Sequence, residues 1–315
     1  MNELLTPLQA FIFEHWIEPL LAWLGLQAYV ENAYDALYLV LLGIIEISLL
    51  VLVFRPLEAL RPVEKWTDRR ALSLDVLYTL LHRLGFIPLA LFFLLWPITY
   101  SLDRTLRIHG FIPLSLEDLW PVLSRHLWLS FMAYLIMLDF IGYWIHRLQH
   151  RLEWWWALHG LHHSQRQMSY WTDDRNHLLD DLLTAAIFSL FGLFMGVPPS
   201  QLVIPMMLTR LVQSFAHSNV NIRFGSLGER LLVSPYFHRV HHGIGQGSES
   251  GDKSCNFAVL FPVWDILFGT AKFNEPLSAT GIEDQLQGRS YGEGFWSQQW
   301  LGLIRLTRAL QGLKA

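Results

Sequence analysis

The chain has 14 histidines, and ten of them fall between residues 146 and 242. His146 and His150 are four apart, His159 and His162 are three apart with His163 adjacent, and His238, His241 and His242 repeat that three-then-one spacing. Residues three and four apart on a helix project from one face, so each group can aim two or three imidazoles at one point. Imidazole is a neutral nitrogen donor suited to iron, zinc, copper or nickel, and eight or more exceed what one ion coordinates. The spacing therefore predicts a two-metal site. His15, His82, His109 and His126 lack such partners and read as packed or interfacial residues.

A metal-bound histidine normally donates its other ring N–H to a carboxylate or carbonyl. Asp139, Tyr143, His146 and His150 run at steps of four, three and four along one helical face, which makes Asp139 a candidate orienter. Gln213, four residues before His217, can face the same site. Trp154, Trp155 and Trp156 read as an interfacial aromatic belt in preference to a substrate box.

The elements that must carry these groups are membrane helices. Charged residues make up 16% of the chain, against about 25% in an average soluble protein. The net charge of −4 offers no basic excess for nucleic acid, and one cysteine, Cys255, excludes an internal disulfide framework or a cysteine-rich metal site. Mean hydropathy is +0.30, which points to a membrane part joined to a polar part. Three spans are expected: Ala36 to Phe54, interrupted only by Glu46; Leu72 to Tyr100; and Leu127 to Ile145, whose only charge is Asp139. Leu182 to Leu208, split by Gly196-Val197-Pro198-Pro199, predicts a tight and re-entrant helical hairpin. Leu4 to Val30 is left between a span and an interfacial segment, and without a basic start it is not a signal peptide.

Residues 1–54 contain no Lys or Arg, whereas Arg55, Arg61, Lys65, Arg69 and Arg70 crowd the next sixteen positions. By the positive-inside rule that loop is cytoplasmic, and the histidines then lie on the cytoplasmic side. Trp296, Trp300, Leu303, Leu306, Leu310 and Leu313 recur at steps of three and four, with Arg305, Arg308 and Lys314 off the stripe. This fits an interfacial amphipathic helix or a helix packed on the cytosolic part. The expected organisation is residues 1–72 as membrane segments and a basic loop, 73–272 as the embedded catalytic region, and 273–315 as the tail.

Asp139-x-x-x-Tyr143-Trp144-x-His146-Arg147-x-x-His150, His159-x-x-His162-His163, His217-x-Asn219 and His238-x-x-His241-His242 together resemble the histidine boxes of the fatty acid hydroxylase superfamily, which includes sterol desaturases. Trp264-Asp265-x-x-Phe268-Gly269-Thr270 resembles the segment after the last box, and the likeness covers roughly residues 75–272. It implies an all-α integral membrane bundle with a cytoplasmic helical cap holding a non-haem di-iron centre. The positions it gives for metal ligation are His146, His150, His159, His162, His163, His217, His238, His241 and His242. His177 stands where the family commonly has an Arg-x-His-Pro stretch; here Leu178 replaces the proline, so His177 is a tenth ligand or a pocket residue. Asp139, Tyr143 and Asn219 are the candidate catalytic positions.

The resemblance further implies two iron ions, O₂ as co-substrate, a lipid substrate, and electrons from an external reductase chain of ferredoxin or cytochrome b5 type. No Gly-x-Gly-x-x-Gly dinucleotide fingerprint is present, which agrees with borrowed electrons. Hydroxylation is the first expectation and desaturation on the same centre the second. A di-zinc membrane hydrolase is a third, although His-Glu-x-x-His is absent and such sites usually include bridging carboxylates. A metal transporter ranks last, because the boxes lie outside the spans. The expected location is an integral, multi-pass membrane protein, in the inner membrane if the source is bacterial.

Overall fold

In the computed structural model, residues 2–197, 199–245 and 254–313 are described, and they are helical with no strand; Gly243 and Thr280 form one antiparallel bridge. Three helices are long and apolar enough to cross a membrane: Gln27–Leu60 (α1), Phe86–Ile108 (α3) and Leu127–Arg151 (α4). The N-terminal helix Asn2–Ile12 and its continuation to Trp23 are not among them. Its Leu5 packs on Leu41 and Leu42 of α1, while Trp16 and Trp23 remain exposed.

The expected span Leu72 to Tyr100 is corrected by the structure. Arg69–Arg83 (α2) is a separate helix, capped by Asp68, whose carboxylate accepts from the Arg70 and Ala71 amides. It stops before Gly85, which takes φ 85° and starts α3 in a new direction. The division has an electrostatic reason. Asp75 and Arg83 are fully buried among protein partners, which lipid could not supply. Arg83 donates to Asp174 at 2.9 Å, Asp173 at 3.0 Å and Glu46 at 3.1 Å, and Arg210 reaches Glu46 at 3.0 Å. Glu46 of α1 is thereby tied to α2 and to the chain that carries the histidines.

Helix α4 ends where Leu152 turns extended, and Glu153–His163 (α5) follows at once. Leu178–Phe194 (α6) and Pro199–His217 (α7) follow one another across a turn with Gly196 at φ 58°; Pro198 lies outside the described residues. Helix α6 packs along α3, and α7 along α4. Pro235–His241 (α8) is started by Ser234, whose hydroxyl accepts from the Phe237 amide. The tail helix Phe295–Leu310 (α9) packs on α5. Lys314 lies outside the described residues.

Candidate metal centre

The ends of four helices converge. His146 and His150 come from the last turns of α4, His159, His162 and His163 from α5, His217 from the end of α7, and His238, His241 and His242 from α8 and the residue after it. They form two buried quartets, His146, His150, His163 and His241 in one and His162, His217, His238 and His242 in the other. Within each, the four ligand nitrogens lie within 4.8 Å of one another. The sequence grouping is thus cut across: adjacent His162 and His163 serve different quartets, and so do His241 and His242. Residues one apart diverge by about 100° around a helix, whereas residues four apart nearly eclipse. The pairs that stay together, His146 with His150 and His238 with His242, are both spaced by four, although His159, four before His163, joins neither quartet.

In three of the rings the nitrogen turned toward the cluster is an acceptor. His146 Nδ1 donates to the Phe257 carbonyl at 2.9 Å, His241 Nδ1 to the Cys255 carbonyl at 2.7 Å and His217 Nδ1 to the Gln213 carbonyl at 2.8 Å. A neutral ring that donates through Nδ1 carries a bare lone pair on Nε2. Yet His217 Nε2 stands 3.0 Å from His162 Nε2 and 2.9 Å from His238 Nε2, and His241 Nε2 stands 3.2 Å from His163 Nε2. Lone pairs that converge in this way fit a bound cation. Burial, and next the surrounding imidazoles, hold His162, His163, His238, His241 and His242 well below the ordinary histidine range, so the rings are neutral donors at neutral pH.

His159 belongs to neither quartet, but its ring stands 5.2 Å from those of His150 and His162, one from each. Its Nδ1 is 3.1 Å from Asp180 Oδ2, and its Nε2 is buried without a partner. It is therefore oriented as a ligand would be. Asp180 also accepts from Trp155 Nε1 at 2.6 Å and Gln149 Nε2 at 2.8 Å. Asp173 stands 3.6 Å from His217 Nδ1. Neither carboxylate was picked out from the sequence. The acidic pair Asp180-Asp181 in the first turn of an otherwise apolar helix was the available signal.

The remaining expected site residues lie further out. Among the described residues Asp139 has no hydrogen bond to a histidine; it accepts from the Leu260 and Phe261 amides at 2.7 and 3.1 Å and from Trp264 Nε1 at 2.8 Å. With Asp265, which takes the Phe257 and Ala258 amides, it clamps the segment whose Cys255 and Phe257 carbonyls orient His241 and His146. Tyr143 is 3.0 Å from Thr270 Oγ1 and accepts from Arg147. Asn219 Oδ1 accepts from the Val63 and Glu64 amides, pinning the basic loop. His177 caps α6, with Nδ1 accepting from the Leu179 amide at 3.1 Å and Nε2 donating to the Gln299 carbonyl at 2.8 Å. Both of its nitrogens are committed, and it stands outside both quartets. Trp155 and Trp156 are buried instead of forming a belt, and the Trp156 ring packs 4.8 Å from His150.

A cavity of about 940 Å³ leads to this cluster. His146, His159, His162, His217 and His238 border its polar end, while Leu91, Leu95, Trp96, Phe188, Leu193 and Met206 line its length. Lining residues on α3 run from Ile87 to Arg107, which is about 30 Å at the helical rise, close to the hydrocarbon thickness of a bilayer. His82 and Asp181 face the polar end, their charged atoms 3.1 Å apart. Burial opposes charge on His82, but the Asp181 carboxylate outweighs it and raises His82 to about 9. His82 is thus a partnered residue of the cavity wall, where the sequence suggested an isolated one.

Residues 131–270 match the family model for fatty acid hydroxylase. The human alkylglycerol monooxygenase is 34% identical over 143 residues, which cover 45% of this chain and 30% of that protein, and the zebrafish (Danio rerio) one is 32% identical over the same shares. The ornithine lipid hydroxylase OlsE of Rhizobium tropici is 26% identical over 246 residues, covering 76% of this chain and 69% of OlsE. The matched part is thus under a third of the alkylglycerol monooxygenases' length. No solved structure gave a significant match. The region similar to fatty acid hydroxylases, residues 131–270, holds every histidine of the two quartets.

Proposed function

We propose that this protein is an O₂-dependent lipid hydroxylase with two iron ions held by the quartets, His159 completing the donor set. The observation that carries the reading is the pair of converging Nε2 clusters at the polar end of a long apolar cavity. Donors about 2.1 Å from one ion stand about 3.0 Å apart at right angles and about 3.4 Å apart in a tetrahedron. The Nε2 pairs at 2.9–3.2 Å lie in the range that donors to one ion span. Neither quartet includes a carboxylate, which counts against the hydrolase.

When bound, the iron pair supplies O₂ activation with two electrons and two protons, so that R–H becomes R–OH and the second oxygen leaves as water. The protein's own residues do the rest. The apolar walls of α3, α6 and α7 hold a hydrocarbon chain and exclude water. The five histidines on the cavity border face the chain, while His150, His163, His241 and His242 stand behind them. Asp180 and the Cys255 and Phe257 carbonyls fix the rings. The relatives' names, a monooxygenase and a hydroxylase of lipids, support hydroxylation over desaturation and a membrane lipid as substrate. We place the site on the cytoplasmic side of a multi-pass protein, served by a ferredoxin- or cytochrome b5-type chain.

The test is iron content of anaerobically purified protein together with lipidomics of cells expressing it. About two irons per chain and a lipid heavier by one oxygen are expected, with the oxidised lipid and one of the two irons lost in His238→Ala. Two tightly held zincs that iron cannot replace, with no oxidised lipid, would overturn the reading.

A further inference from the structure

Helix α9 is folded inside out. Its inward face carries Gln298, Gln299, Gly302 and Arg305, all buried, whereas Trp296 is 76% exposed, Trp300 64% and Leu310 68%. The inward face cannot rotate away. Gln299 takes the His177 Nε2 proton on its carbonyl at 2.8 Å and accepts from the Leu178 amide at 2.8 Å through its side chain. Arg305 Nε donates to the Ala157 carbonyl of α5 at 3.1 Å. Gly302 lies so close to the His177 ring that a Cβ there would stand 2.2 Å from it. The apolar stripe is therefore held outward by specific polar contacts.

The position of α9 says what covers that stripe. Gln298 accepts from the Tyr78 hydroxyl of α2 at 2.9 Å, and the Phe295 ring lies 4.9 Å from that of Tyr78. Tyr78 stands on α2, which ends at Arg83, three residues before the span Phe86–Ile108 starts. Gln299 and Gly302 sit on the first residues of α6, which runs on beside that span. Helix α9 thus lies across the ends of two helices that lead to the bilayer, within reach of the headgroup layer. Tryptophans favour that layer, and an exposed arginine, Arg308, flanks them with a stem long enough to reach phosphate.

We propose that the outward face of α9 is seated in the lipid surface, its tryptophans and leucines in the upper acyl region. The inference rests on the membrane embedding of the chain and not on the identity of the metal. Docking also has a consequence for the site. Gln299 Nε2 donates to the Asn176 carbonyl at 3.2 Å, so the lipid-seated helix supports the polar end of the cavity from behind.

The test uses the full chain in phosphatidylcholine–phosphatidylglycerol nanodiscs. Cys255 is the single cysteine and is buried, so one added cysteine takes a spin label alone. Trp300→Cys, Leu303→Cys and Leu310→Cys probe the stripe, with Ser297→Cys and Arg308→Cys on its polar flank. Relaxation by O₂ relative to a water-soluble nickel chelate is expected to be about threefold or more higher on the stripe than on the flank. Equal access of the nickel chelate at all five positions would overturn the proposal in favour of a solvent-facing helix. Exclusion of both reagents from the stripe would overturn it in favour of a protein partner or a second copy. The readout needs no metal, so loss of the hydroxylase reading would leave it standing, and the reverse.

Discussion

Asp180→Asn exchanges one oxygen for an amide nitrogen at nearly constant volume, and the expected effect follows from where each donor sits. Trp155 Nε1 and Gln149 Nε2 both bond Oδ1, which the asparagine carbonyl can still serve; Oδ2, beside His159 Nδ1 at 3.1 Å, becomes the NH₂ group. His159 must then accept through Nδ1, which moves its own proton to Nε2 and removes the lone pair that now stands buried and unpartnered. Loss of such an orienting carboxylate typically costs about 10–100-fold in metal affinity, or roughly 1.4–2.7 kcal/mol. The fold should lose only the difference between a charged and a neutral hydrogen bond, about 1 kcal/mol. The assay is iron per chain against rising chelator concentration in detergent, beside Asp181→Asn, whose carboxylate meets His82 and no quartet histidine. If Asp180→Asn and Asp181→Asn release iron at the same chelator concentration, His159 is not a ligand held by Asp180 and the reasoning fails.

Stability of the metal-free protein should depend on pH from both sides. The unfolded chain binds protons near pH 6.5 that buried His162, His163, His238, His241 and His242 refuse, so their contribution is complete above that pH and is lost on acidification. His82 acts oppositely: raised to about 9 by Asp181, it stabilises below pH 6.5 and that part is lost as pH rises through about 9. Thermal unfolding from pH 5.5 to 9.5 should therefore peak between, and a steady climb to the alkaline end would remove His82 from the account. Arg83→Met leaves Glu46, Asp173 and Asp174 without their shared partner and should cost about 3–5 kcal/mol, read as loss of monodisperse protein on size exclusion. Asp139→Ala should loosen the segment from Cys255 to Phe261; faster hydrogen exchange there, with unchanged exchange in α7, is the expected result. His217→Ala removes a donor from one quartet only, so one of two metals should be lost and one retained.

What could be read in the chain alone was local. A helix makes spacings of three and four meaningful without any knowledge of the fold, so the histidine groups were legible, and so was the apolar stripe of α9 but not the direction it faces. Apolar length did the same for α1 and α4. The second span was misplaced because hydropathy counts Leu72 to Tyr100 as one segment. The backbone at Gly85, and protein carboxylates that welcome Arg83, divide it. Asp139 was chosen for sharing a helical face with His146 and His150, yet its oxygens turn to Leu260 and Phe261, more than a hundred residues on.

Three orienting groups that the structure supplies, Asp180 and the Cys255 and Phe257 carbonyls, come from other segments, and no periodicity links them to the rings they hold. The partition of the histidines is the clearest case. The sequence determined that nine imidazoles lie in boxes, but only the crossing of α4, α5, α7 and α8 decided which four converge. Neighbours such as His162 and His163 point about 100° apart, and each is completed by rings from different helices.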